Sequence, residues 1–277
     1  MKKLFKFTLG IVFALTMGVF FSACGEDSKK QEVSALERIK QRQEVFIGVF
    51  GDKPPFGYID SQGENAGFDV VLAKRITKDL LGDEKKAKFI VVEAANRVEF
   101  LRSNKVDIIM ANFTKTPERE KVVDFAKPYM KVSLGVVSKN GAIEDVKELE
   151  DKTLIVNKGT TADFYFSKNF PNLKILKFEQ NTEAFSALKD GRGDALAHDN
   201  TLLFAWAKEN PSFKVGIKEL GENDVIAPAV KKGNKELLEW LDSEISALIE
   251  EGFLLQAYES TLAPAYSDEI HASDVVF

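Results

Sequence analysis

From Ser34 to Glu251, short apolar β-branched runs alternate with stretches whose apolar residues recur at helical spacing. That alternation is the pattern of an α/β chain with mainly parallel sheets. Ser34 and Glu37 stand at capping-box spacing for a first helix, and a strand is expected over 45–50 before a turn bearing Pro54, Pro55 and Gly57. Phe68, Val71, Leu72, Ile76 and Leu80 then fall on one helix face that stops at Gly82. A strand over 89–92, a helix over 96–103 and a strand over 107–110 continue a first lobe. The apolar run 132–138 carries no turn signal and is expected to cross to a second lobe. There, strands over 154–157, 174–178 and 195–197 alternate with helices near 161–170, 182–190 and 200–208. The run 225–230, interrupted by Pro228, reads as one further strand. A helix over 234–251, with Trp240, Leu241, Ile245 and Leu248 inward, returns the chain to the first lobe. The expected division is 35–131 with 230–277 for lobe 1 and 132–229 for lobe 2. Two crossings between α/β lobes make a hinge with a cleft, where small-ligand sites preferentially lie.

The N-terminus departs from this mixture. Lys2, Lys3 and Lys6 precede an uncharged run over 7–23 that ends in small residues before Cys24. This is the order of a secretory signal, expected over 1–23, and its run is shorter than the roughly 20 residues a membrane-spanning helix needs. Residues 24–34 are polar and read as a tether. Cys24 is the only cysteine in the chain, so no intramolecular disulfide forms and a thiol-based redox role is excluded. A formal net charge of −5, with lysines and acids interleaved, leaves no basic stripe for nucleic acid or an anionic membrane surface.

Three places can carry chemistry. Thr116 sits where an N-cap belongs and Pro117 at the first helical position, which puts Arg119 in the first turn beside the strand end bearing Asn112 and Thr114. A planar guanidinium matches a carboxylate with two parallel bonds, and the helix start adds partial positive charge. An ordinary ion pair with Glu118 or Asp124 is the alternative. Gly159-Thr160-Thr161 follows the strand ending at Asn157 and opens a helix whose amides and hydroxyls suit a carboxylate; a routine cap is the alternative. Asp199 either accepts from a ligand ammonium or caps the next helix. His198 has no partner for a metal site or a triad, since the other histidine, His271, lies in the polar tail, and it is assigned to the pocket or the core.

Gly51-Asp52-Lys53-Pro54-Pro55-Phe56, Gly67-Phe68-Asp69-Val70, Thr116-Pro117-Glu118-Arg119, Asp124-Phe125-Ala126-Lys127-Pro128-Tyr129 and Lys158-Gly159-Thr160-Thr161 recur in one order. In these blocks the chain resembles the polar amino-acid family of ABC-transporter solute-binding proteins. The resemblance implies a two-lobed type II periplasmic binding protein fold, each lobe a mainly parallel sheet flanked by helices, with two hinge crossings. It also implies an extracytoplasmic component of an ABC importer that closes on a small amino acid and works with a permease and ATPase. In that family the arginine after Thr-Pro-Glu takes the α-carboxylate, the Gly-Thr-Thr turn adds donors and the acid after the second lobe's strand takes the α-ammonium. Here these are Arg119, Thr161 and Asp199, with Asn112 and Thr114 at the contacting strand end. Phe56, Ala94, Asn157, Gly159 and His198 are expected to complete the pocket. Where relatives often place aromatic platforms, this chain has Lys53 and the Ala94-Ala95 pair. Lys53 would repel lysine or arginine, so a small neutral or acidic side chain is favoured.

The blocks Glu93 to Phe100, Ala111 to Thr114 and Ala197 to Leu203 are similar to cysteine-binding lipoproteins of the family, which makes L-cysteine the expected ligand. Phe21-Ser22-Ala23-Cys24 resembles a lipobox. That resemblance implies an acyl anchor on Cys24 and a membrane-bound protein of the periplasm or cell surface. Two other functions fit an anchored lobe pair: a surface antigen or adhesin, and a dehydratase-type enzyme on the same fold. No nucleophile elbow, zinc motif or phosphate loop supports catalysis, and no cofactor is expected.

Overall fold

The computed structural model describes residues 33–267 and 270–277. The expected leader, Cys24 and nearly all of the tether lie outside the described residues. Among those described, no helix is long and apolar enough to cross a membrane.

Ser34 opens α1 (Ala35–Arg42) by accepting the Glu37 amide at 3.2 Å. Next come β1 (Val45–Val49), the small strands β2 (Asp52–Lys53), β3 (Gly57–Ile59) and β4 (Asn65–Ala66), α2 (Phe68–Leu81), β5 (Ala87–Val91), α3 (Arg97–Arg102), β6 (Ile108–Ile109), α4 (Pro117–Glu120) and β7 (Val123–Phe125). The second set is β8 (Met130–Lys139), β9 (Thr153–Asn157), α5 (Thr161–Asn169), β10 (Lys174–Phe178), α6 (Asn181–Lys189), β11 (Ala195–Asp199), α7 (Asn200–Glu209) and β12 (Phe213–Ile226). The chain ends with β13 (Ala229–Lys231), α8 (Lys235–Glu250), α9 (Phe253–Thr261) and α10 (Ala272–Val275).

Two five-stranded sheets result, ordered β5-β1-β6-β13-β7 and β10-β9-β11-β8-β12. In the first, β5, β1 and β6 are parallel, and β13 runs antiparallel to both β6 and β7. In the second, β10, β9 and β11 are parallel and β8 runs antiparallel between β11 and β12. A continuous apolar cluster reaches through both, from Ile47, Leu72 and Ile76, covered by Leu241 and Ile245 of α8, to Val137, Ile155 and Leu196. Separate clusters cover the other face of each sheet, around Phe113 and Leu101 in the first and Phe166 and Val156 in the second.

The run 225–230 is two strands rather than one. Pro228 cannot donate to a ladder, and it separates the end of β12 from β13, which pair in different sheets. β12 also begins far earlier than expected, at Phe213. It is an edge strand whose pairing with β8 shifts register at three places, so its side chains lose the regular alternation a strand normally shows. The two crossings lie side by side, with Val132 opposite Asp224 and Met130 opposite Ile226. The tail is structured too: Met130 bridges to Val276, and Val275 and Val276 are buried.

Candidate functional site

The expected N-cap holds: Thr116 Oγ1 accepts the Arg119 amide at 3.3 Å with Pro117 behind it. This aims Arg119 inward, where only 7% of it is exposed. Its Nη1 donates to the Thr114 carbonyl at 2.7 Å and its Nη2 to the Gly159 carbonyl, across the cleft, at 2.9 Å. The guanidinium lies 4.8 Å from the Phe113 ring centre. Asp124, one ordinary partner, is taken by Lys232 at 2.6 Å and the Gly233 amide. Among the described residues no carboxylate stands within ion-pairing distance of Arg119. Burial pushes its pKa down to about 10, so it remains a cation at neutral pH.

A second buried cation was not anticipated. Arg97 donates to the carbonyls of Ala94 and Ala111 at 3.0 Å each and of Asn112 at 3.4 Å, and reaches Gly159 at 3.3 Å. Burial and the neighbouring Arg119 both disfavour its charge. Ala94 thus enters the site through its carbonyl. Its neighbour Ala95 packs so closely on Gly159, which has φ of +75°, that a Cβ there would lie 2.6 Å from the Ala95 Cα. Only glycine fits this approach without displacing backbone.

Asp199 does not cap α7, for its side chain makes no cap bond. Its Oδ2 accepts from Lys53 Nζ at 2.7 Å, and Lys53 also donates to Asn112 Oδ1. Lys53 is 1% exposed. Burial pushes the Lys53 pKa down, with Asp199 opposing; burial would raise Asp199, but the Lys53 ammonium together with the adjacent His198 outweighs it and holds the carboxyl well below the usual range. The pair is therefore ionic and joins β2 to β11 across the cleft. His198 Nδ1 accepts the Asp199 amide at 2.7 Å, and burial lowers its pKa, so the ring is neutral with its proton on Nε2.

The Gly-Thr-Thr turn is partly spent on itself. The Gly159 amide donates to Asp163 at 3.0 Å, and the Thr160 hydroxyl donates to the Asn157 carbonyl at 2.7 Å. Among the described residues the amides of Thr161 and Ala162, at the start of α5, have no protein acceptor. Thr114 and Asn112 lie on the first lobe's side, buried, Asn112 with φ of +43°. Phe56 lies in the core, its ring centre 5.6 Å from Lys53 Nζ. Four buried polar atoms at these strand ends lack a partner: Asn112 Nδ2, Asn157 Nδ2 and Oδ1, and His198 Nε2. Unpaired buried polar atoms are rare in folded proteins, and their gathering beside an unneutralised guanidinium marks a polar-ligand site. A cavity of about 890 Å³ lies elsewhere, between α7, β8, β12 and the tail, and none of these residues lines it.

Residues 45–262 match the family model of the bacterial extracellular solute-binding proteins, family 3. The chain belongs to that family. A crystal structure of a cysteine-binding protein from Campylobacter jejuni is 62% identical with a TM-score of 0.87, covering 88% of this chain and 99% of that one. The solute receptor for L-cysteine of Neisseria gonorrhoeae is 58% identical, TM-score 0.86, over 87% and 99%. The ABC transporter glutamine-binding protein GlnH of Bacillus subtilis is 35% identical over 94% of this chain and 97% of its own. The fold of this family 3 protein is accordingly the two-lobed type II periplasmic binding protein fold, as the sequence resemblance implied.

Asp69 is the site's second buried acid. It accepts from the Asn112 amide and the Tyr129 hydroxyl, both at 2.7 Å, so it sets the strand end that carries Asn112. Burial raises its pKa to about 7, against the pull of those two donors. The folded solute-binding protein keeps this proton up to about pH 7, while the unfolded chain releases it near pH 4. Between those values the folded state binds more protons, so this group lowers stability as pH rises through that window. Melting curves of Asp69→Asn are expected to fall less than those of the parent between pH 5 and 8.

Proposed function

We propose that this chain is the extracytoplasmic capture component of an amino-acid ABC importer. It binds L-cysteine by closure of the lobes 35–131 with 230–277 and 132–229, then delivers it to a permease and ATPase. The observation that carries this reading is Arg119, a buried guanidinium anchored by carbonyls of both lobes with no carboxylate of its own. An α-carboxylate supplies the missing charge, with the free amides at the start of α5 as further donors. Asp199 Oδ2 is held by Lys53, which leaves Oδ1 for the α-ammonium. Cysteine is favoured because the two relatives at 62% and 58% identity are described as binding it. The small Ala94-Ala95 wall and buried Lys53 favour a short, uncharged or acidic side chain. Function is binding without turnover. The lipobox-like residues before Cys24 support an acyl-anchored protein outside the cytoplasm.

Calorimetry of the purified chain with all common amino acids, under reducing conditions that separate cysteine from cystine, tests the reading. Micromolar or tighter cysteine binding, roughly −8 kcal/mol or better, is expected. Absence of heat with every amino acid overturns the amino-acid assignment, and a stronger signal for glutamine overturns cysteine.

A further inference from the structure

Helix α6 has no cap of its own. Its N-cap residue, Gln180, makes no side-chain cap bond, although the first amides of any helix lack intrahelical acceptors. The missing acceptor comes from the other lobe. Asp52, in β2, receives the Asn181 amide at 2.6 Å and the Thr182 amide at 3.3 Å on Oδ2, and the Asn181 side-chain amide at 2.9 Å on Oδ1. β2 belongs to the small β2-β3-β4 sheet beside the first lobe, while α6 packs on the second sheet between β10 and β11. Asn181 is buried and Asp52 half-buried at this contact.

We propose that Asp52 is a positioning residue for solute capture, a helix cap supplied in trans that exists only when the lobes are closed. The inference rests on the lobe closure proposed above and concerns a residue outside the ligand's contacts. In an open chain both the α6 amides and the Asp52 carboxylate turn to water. In the closed chain they meet, and the carboxylate also faces the positive end of the α6 dipole. An interaction present in one of two states shifts the equilibrium by its full differential strength. Asp52 therefore slows release of the captured solute while leaving its recognition to Arg119 and Asp199. Lys53, the next residue, reaches the cleft interior, so one two-residue strand serves closure on one side and the ligand cavity on the other.

The test is stopped-flow and calorimetric measurement of L-cysteine binding by the full chain and by Asp52→Ala, Asp52→Asn and Asn181→Ala. Asp52→Ala is expected to raise the dissociation rate about 5- to 30-fold, the loss of one helix cap, with the association rate and the ligand-free melting temperature nearly unchanged. Asp52→Asn keeps one acceptor and is expected to fall between, and Asn181→Ala is expected to be non-additive with Asp52→Ala. Should Asp52→Ala fail to fold, Asp52→Asn and Asn181→Ala carry the comparison. In the cysteine-loaded chain, hydrogen exchange at the Asn181 and Thr182 amides is expected to quicken in Asp52→Ala. A wild-type chain that binds cysteine while Asp52→Ala releases it at the same rate overturns the trans cap. A wild-type chain that binds no amino acid overturns the capture reading and the cap with it, whereas unchanged exchange at the two amides in an Asp52→Ala chain loaded with cysteine overturns the cap alone.

Discussion

Arg119→Ala is expected to weaken L-cysteine binding by about 30- to 4,000-fold, because removing one partner of a buried charge pair costs about 2–5 kcal/mol. The guanidinium is oriented before any ligand arrives: the Thr114 carbonyl holds one nitrogen, the Gly159 carbonyl another, and the Phe113 ring lies against its face. Little binding energy is then lost to ordering it. The melting temperature of the ligand-free chain should change little, since the substitution also relieves the repulsion between Arg119 and Arg97. Arg119→Lys keeps the charge but loses the planar fork and is expected to lie between the two. Calorimetry reads all three, and an Arg119→Ala chain with unchanged affinity would place the carboxylate elsewhere.

The second large effect concerns selectivity. Lys53→Met removes the ammonium that faces Asp199 at 2.7 Å and leaves a neutral side chain of similar length. A like charge a few ångströms from a ligand's cationic end costs several kcal/mol at an effective dielectric constant near 20. Its removal is expected to shift the arginine-to-cysteine affinity ratio by about 100-fold or more toward arginine. Cysteine binding should itself weaken, because closing the lobes now buries Asp199 with only the ligand ammonium to neutralise it. Competition calorimetry measures the ratio, and a constant ratio would mean that the ligand side chain points away from Lys53.

The first turn of α4 was legible because Thr116 and Pro117 are local signals: a hydroxyl that caps and a ring that preorganises the start act on residues within one turn. The same locality explains α2 and its stop at Gly82, which takes a left-handed conformation. Arg97 was not legible, since nothing in Asn96-Arg97-Val98-Glu99 distinguishes a buried arginine from a solvated one. Its four carbonyl acceptors include three from two distant segments, at Ala111-Asn112 and Gly159. Lys53 was placed at the ligand's flank, but its bond to Asp199, 146 residues away, depends on how the lobes meet. The length of β12 was hidden by Gly216, Gly221 and charged residues, which an edge strand with bulges accommodates and a central strand would not.

The carbonyl oxygen of Gly159 receives both Arg119 and Arg97 from the opposite lobe. A backbone atom is the same whatever side chains surround it, so the acceptor of this grip survives substitution elsewhere in the cleft wall. Selection can then alter positions such as Lys53 or Ala94 and change which solute is held without removing the carbonyl that both arginines share. Such a division lets one scaffold explore new solutes by single steps, each intermediate keeping the shared carbonyl in place.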